Sequence, residues 1–236
     1  MRLVVGIQPV REALRAHGSH IAEVVIEEGD HPQLSALGRF ARDRGATVKV
    51  APRAELDRRA RGARHQGVVA LAPDLELTSL ADLAVEAGAL YLALDEITDP
   101  QNFGAAIRSA VAFGVNAVIW PEHSAAPLSP ATFRASAGAI EHARLCRVTS
   151  LPGALAELAA KGAVVVGLDA AADVELGSLD LSAPTVVVIG SEGTGLRRGV
   201  RRACAHIARL PMNGPLGSLN ASVAAAIALY EARRQR

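Results

Sequence analysis

The sequence predicts an α/β protein in two parts, a mostly parallel sheet over residues 89–236 and a small α/β unit over residues 1–74, joined by a linker at 75–88. From Ala89 onward, short and nearly continuous apolar runs alternate with stretches of helical period, the pattern of strands buried on both faces by helices. The first 74 residues alternate similarly but differ in charge: 12 Lys and Arg against 9 Asp and Glu give +3, while the remainder carries −2, for +1 overall. Between them lies a stretch of small and acidic residues after Pro73, the composition of a connector.

In the first part, the stretch around Pro9 reads as a Pro-started helix, 21–27 as a strand, 34–44 as a helix, 47–51 as a strand, 54–60 as a helix and 68–71 as a strand. Arg53, Arg58, Arg59, Arg61, Arg64 and His65 form the densest basic stretch of the chain, and Gly62 and Gly67 break the helix beside it. A mobile basic loop there suits contact with RNA phosphates. Phe40 is the only aromatic residue of this half, which disfavours stacking of splayed bases and favours recognition of backbone or shape. In the second part, strands are expected near 90–94, 117–120, 144–148, 163–168, 185–189 and 206–210. Helices are expected at about 104–113, 130–136, 151–161, 196–203 and 219–234.

Composition excludes several classes. Half of the residues are apolar, enough for a substantial core, but no apolar run is long enough to span a bilayer. The N-terminus lacks the apolar core and cleavage site of a secretory signal, so a cytoplasmic protein is expected. Cys146 and Cys204 are solitary and set among apolar residues, which predicts buried, reduced thiols. The seven His show no metal-ligand spacing, and no metal dependence is expected.

Three segments of the second part carry chemistry. Val186-Val-Val-Ile-Gly190-Ser-Glu192-Gly193-Thr-Gly195-Leu is a buried strand running into a glycine-rich loop, where missing side chains let a ligand approach the backbone. Asn102-Phe-Gly104-Ala-Ala-Ile-Arg108 follows the strand at 90–94 and the turn Asp95-Glu-Ile-Thr-Asp-Pro-Gln, and opens a helix. The run from Leu210 to Ile227 packs small turn residues and hydrogen-bonding side chains before a helix. Ser218 reads as its N-cap, with Asn220 and Ser222 in a first turn whose N–H groups are free to hold a polar or anionic group.

Together these segments resemble the three signature motifs of the SPOUT superfamily, in its SpoU/TrmH branch of RNA 2′-O-ribose methyltransferases, and are most similar to the bacterial 23S rRNA guanosine 2′-O-methyltransferases. The resemblance extends more loosely over the whole chain. It implies a trefoil knot in the C-terminal sheet, a homodimer with residues of both subunits near each active site, an RNA-binding α/β/α sandwich at the N-terminus, and S-adenosylmethionine as methyl donor. It implies that the backbone of Gly190, Leu210 and Leu219 lines the cofactor slot with Met212 and Gly167 as neighbours. Asn102, Arg108, Glu192, Ser218 and Asn220 then surround the ribose and its phosphate.

The family description often makes the Arg a general base, which is awkward for a side chain with a pKa above ~12. A fixed cation stabilising the developing alkoxide, oriented by Glu192, is the other possibility. A nicotinamide oxidoreductase is disfavoured because the spacing of Gly190, Gly193 and Gly195 is wrong and no acidic residue follows about 20 positions on. A non-catalytic RNA-binding protein, a tRNA enzyme and a resistance-type rRNA adenosine enzyme remain as alternatives.

Overall fold

A computed structural model describes residues 1–215 and 217–236, whose contacts gather into two units. The first unit comprises Met1–Glu76 and, from much later in the chain, Leu128–His142. Its sheet is built from β1 (Arg2–Val5), β2 (Glu23–Glu27), β3 (Val48–Ala51) and β4 (Val68–Ala72), in the order β1-β4-β2-β3. β4 runs antiparallel to both β1 and β2, and β2 parallel to β3.

Alternation decides the layers, because successive side chains of a strand face opposite ways. Val4, Val24, Val68 and Ala70 pack with Val10 and Leu14 of α1 (Ile7–His17) and with Leu34 and Leu37 of α2 (Pro32–Asp43). Their neighbours Val5, Val25 and Val69 pack on the opposite face with Leu56 and Ala60 of α3 (Arg53–Ala60). The result is an α/β/α sandwich. Strand β1 is not anticipated by the sequence reading, which has that stretch lead directly into the helix.

The segment Leu128–His142, grouped by sequence with the second part, is fastened to this sandwich by buried charge. The side chain of Glu141 is fully buried and accepts from Arg2 Nη1 on β1 at 2.9 Å and from Arg2 Nη2; His17 Nε2 lies 2.9 Å from its Oε2. Arg2 also stacks over the Phe133 ring at 5.0 Å. Removing one partner of such a pair leaves an uncompensated buried charge, which costs about 3–5 kcal/mol.

The second unit, Leu77–Pro127 with Ala143–Arg236, holds a seven-stranded sheet in the order β7-β6-β5-β10-β8-β11-β9, every pairing parallel. The strands are β5 (Leu90–Leu94), β6 (Ala117–Pro121), β7 (Leu145–Val148), β8 (Val164–Leu168), β9 (Val174–Glu175), β10 (Thr185–Ile189) and β11 (His206–Arg209). Central β10 is buried along its whole length, with Val187 registered against Leu92 of β5 and Val166 of β8. The two-residue edge strand β9 is absent from the sequence reading.

Helices α4 (Pro100–Ala112), α6 (Leu151–Ala160), α7 (Arg198–Ala203) and α8 (Ala221–Arg234) cover this sheet, while the short α5 (Pro130–Ala135) belongs to the first unit. On α8 the buried residues Ala221, Ala225, Ala228, Leu229 and Ala232 recur at helical spacing, and the alanines let the helix approach α4 and β10 closely. Phe103 of α4 is fully buried and meets Trp120 edge to face at 5.5 Å. No described helix is long and apolar enough to cross a membrane.

Candidate active site

The parallel sheet opens a cavity of about 530 Å³ beyond the C-terminal ends of β8, β10 and β11, where ligands of such sheets bind. It is lined by Leu168 at the end of β8 and Asp169 just after it, by Gly190 and residues 191–195 after β10, by Leu210 and Met212 after β11, and by Ser218, Leu219, Asn220, Ala221 and Ala224 at the entry to α8. That volume lies within the range of about 300–1,000 Å³ typical of small-molecule sites.

The glycine-rich loop is folded tightly back. Ser191 and Gly195 exchange both backbone hydrogen bonds, at 3.2 and 3.0 Å, and Ser191 Oγ meets Thr194 Oγ1 at 2.6 Å. A Cβ on Gly190 would lie 2.3 Å from the Gly195 carbonyl carbon and 2.6 Å from Leu196 N, so the fold-back requires glycine there. The far end of the loop is tied to β5: fully buried Asp95 accepts from Arg197 N at 2.8 Å through Oδ2 and from Arg197 Nε at 2.7 Å through Oδ1.

One wall is a polar junction of three segments. Glu192 Oε1 accepts from Asn102 Nδ2 at 2.9 Å, from Asn220 Nδ2 at 2.7 Å and from Ala221 N at 3.1 Å. Asn220 Nδ2 donates also to Asn102 Oδ1 at 2.7 Å. Asn102 sits in the first turn of α4, which starts at Pro100 and is capped by Asp99 accepting from Gln101 N and Asn102 N.

Of the residues singled out by sequence, Gly190, Leu210, Met212, Leu219, Glu192, Ser218 and Asn220 line this one cavity, and Asn102 joins them through its hydrogen bonds. One expectation is corrected, that of the α8 cap, and two of the residues singled out, Gly167 and Arg108, stand apart from the lining. Gly167 lies within β8, outside the lining, where an added Cβ would fall 2.6 Å from Leu196 Cδ1 and 2.9 Å from Cys204 Sγ, so its smallness serves packing. Arg108 is exposed on α4 and forms no pair with Glu192, whose Oε1 is instead taken by the two asparagines and a backbone N–H. The cap of α8 is Asn220 rather than Ser218. Its Oδ1 accepts from Ser222 N at 2.9 Å and Val223 N at 3.3 Å, so with Ala221 N held by Glu192 this helix start has no free N–H to offer an anion.

Asp169 escapes the sequence reading, although an acidic residue just beyond a parallel strand is a legible signal. The backbone N–H of Ala171 and the guanidinium of Arg201 hold its carboxyl below the ordinary range, against the opposing effect of burial.

In the first unit, Arg58 and Arg59 lie on α3, as the helix expected at 54–60 implies, both paired with Glu55 and Arg59 also with Glu23. Arg61 and Arg64 are exposed and have no acidic partner among the described residues. His65 is buried rather than presented to solvent. Its Nδ1 accepts from Gly67 N at 3.0 Å and its Nε2–H donates to Asp57 at 2.9 Å, so it braces the turn.

The sheet, the glycine-rich loop and the cavity define an α/β protein with a nucleoside-sized site at the C-terminal edge of its strands. The SpoU rRNA Methylase family profile matches residues 89–230, and a profile described as RNA 2′-O ribose methyltransferase substrate binding matches residues 3–78. The chain belongs to the SpoU rRNA methylase family, and is an RNA methyltransferase. A Mycolicibacterium vanbaalenii protein carried as an uncharacterized tRNA/rRNA methyltransferase is 41% identical over 99% of this chain and 76% of its own length. The AdoMet-bound rRNA methyltransferase of Sinorhizobium meliloti superposes with a TM-score of 0.81 at 29% identity, covering 98% of this chain and 86% of that one. A tRNA-modifying TrmH/SpoU enzyme of A. aeolicus matches 64% of this chain and 76% of its own, with a TM-score of 0.57 and 27% identity.

Proposed function

We propose that the protein transfers the methyl group of S-adenosylmethionine to a ribose 2′-hydroxyl of RNA, the substrate being a guanosine of 23S rRNA. The observation that carries this reading is the convergence of Gly190, Leu210, Met212 and Leu219 on one cavity whose wall is the Asn102–Glu192–Asn220 junction. The residues suit the cofactor: apolar Leu210, Met212, Leu219 and Ala224 offer surface to an adenosyl group, and the Asp169 and Glu192 carboxylates complement its hydroxyls and cationic centre. When bound, the cofactor supplies an electrophilic methyl. An rRNA substrate is favoured because the rRNA enzyme of S. meliloti matches nearly the whole chain, whereas the tRNA-modifying enzyme matches only 64% of it.

In this reading Glu192 positions rather than reacts. It locks the two asparagines, and with them the entries to α4 and α8, leaving Ser218 and Asn102 to orient the ribose. Arg108, exposed and without an acidic partner among the described residues, is free to meet a substrate phosphate or the developing 2′-alkoxide. As a fixed cation it lowers the cost of proton loss without taking the proton, which passes to solvent water.

The protein acts in the cytoplasm as a homodimer. Leu219, Val223, Ile227 and Tyr230 are 38–56% exposed and recur on one side of the α8 region, an apolar stripe that a second copy would cover. The C-terminal segment, whose α8 packs on α4 and β10, threads the trefoil knot that the family resemblance implies. Division at 75–88 leaves every cofactor residue in the C-terminal part. Calorimetric titration with S-adenosylmethionine tests the site: Gly190→Val, which cannot hold the fold-back, should abolish binding. Unchanged affinity in that variant would remove the cavity as the cofactor site.

A further inference from the structure

We propose a phosphate cradle for RNA in the first unit, formed by Arg61 and Arg134 across a cleft of about 850 Å³. It rests on the RNA-methyltransferase reading and names where the backbone of that RNA is held. Arg134 comes from α5, some 70 positions beyond the basic stretch that sequence reading singles out, yet it lines the same cleft as Arg58, Arg59 and Arg61.

Pairing separates these four cations. Arg58 and Arg59 are engaged by Glu55 and Glu23, and Glu23, the acidic group lining the cleft, is further held by Lys49 at 2.5 Å. Arg61 and Arg134 are exposed and have no acidic partner among the described residues, so both remain available to an anion from solution. Arg61 also occupies a costly place. It ends α3 in the left-handed region at φ 47°, ψ 48°, the position where glycine is preferred, and glycine follows only at 62. A long cation is held there although the backbone favours its absence. Two guanidinium groups on one open cleft, with no aromatic side chain among its lining, suit two successive backbone phosphates rather than a stacked base.

Filter binding of in vitro transcribed 23S rRNA across a salt series tests the proposal. Arg61→Gly removes the cation while relieving the left-handed strain, so thermal stability should hold; Arg134→Ala removes the other from an exposed position. Each should weaken RNA binding about 3–10-fold near physiological salt and lower the slope of log K against log salt by about 1, the double variant by about 2. S-adenosylmethionine affinity should not change. Arg42→Ala, on the opposite face of the sandwich, should leave the slope as it was. Unchanged slopes for both Arg61→Gly and Arg134→Ala overturn the cradle and leave the enzymatic reading standing. An unaltered protein that binds no RNA overturns both.

Discussion

Asn220 Nδ2 stands 2.7 Å from Glu192 Oε1, and the orientation of that amide is dictated from behind. Its Oδ1 already accepts the Ser222 and Val223 N–H groups of α8, so the amide nitrogen must face Glu192 and Asn102. One side chain thus caps a helix and ties three segments 90 and 118 positions apart into the cavity wall.

Asn220→Asp separates these two duties. The carboxylate still caps α8 but sets acceptor against acceptor at Glu192 and Asn102, costing about 1–3 kcal/mol per unmatched contact. Methyl transfer should fall about 10–100-fold while the helix persists by circular dichroism. Wild-type kcat in Asn220→Asp would show the junction to be irrelevant to turnover.

Arg108→Ala should keep fold and cofactor affinity and lower kcat by about a hundredfold or more, the scale of losing one donor to a developing oxyanion. Arg108→Lys should recover part of the rate with a shallow pH profile below pH ~9, as a fixed cation requires. A steep rise toward pH ~10.4 would instead identify proton abstraction.

The thiols give a pH prediction whose sign is fixed. Cys146 is buried and Cys204, against expectation, only half-buried, yet burial raises both thiols from 9.0 to about 11, so the folded state favours the neutral thiol. That contribution is complete below pH 9 and is lost as pH rises toward 11. Stability by urea denaturation should decline over this window, and iodoacetamide at pH 8 should modify both residues only once urea unfolds the protein. Rapid alkylation of the native protein at pH 8 would contradict the burial.

Excising residues 1–74 alone should give a poorly soluble fragment, because buried Phe133, Ile140 and Glu141 lose β1 and α1 as partners. Replacing residues 128–142 as well with a short Gly-Ser linker should restore a soluble protein that binds S-adenosylmethionine. Solubility of the simple truncation would show that the segment is not held by the first unit.

Legibility in the sequence follows the range of the forces involved. The long strands and helices of both units are written in local periodicity, and the glycine-rich loop in composition. β1 is not, since its four residues run through one glycine into a helix and its partner β4 lies some 65 positions away. Nothing in Phe133 or Ile140 says which core will bury them. Ser218 and Asn220 are both good caps on propensity alone, and Asn220 prevails because its amide also supplies the donors that Glu192 needs. The same contacts explain why Glu192 has no bond to Arg108: the asparagines that occupy it are distant in sequence.

Methyl placement is the most direct test of the whole reading. Purified protein, labelled S-adenosylmethionine and unmodified 23S rRNA should yield label resistant to alkaline cleavage at a single guanosine, as 2′-O-methylguanosine, with none transferred to tRNA. Label on a base, label confined to tRNA, or no transfer to either RNA would contradict it.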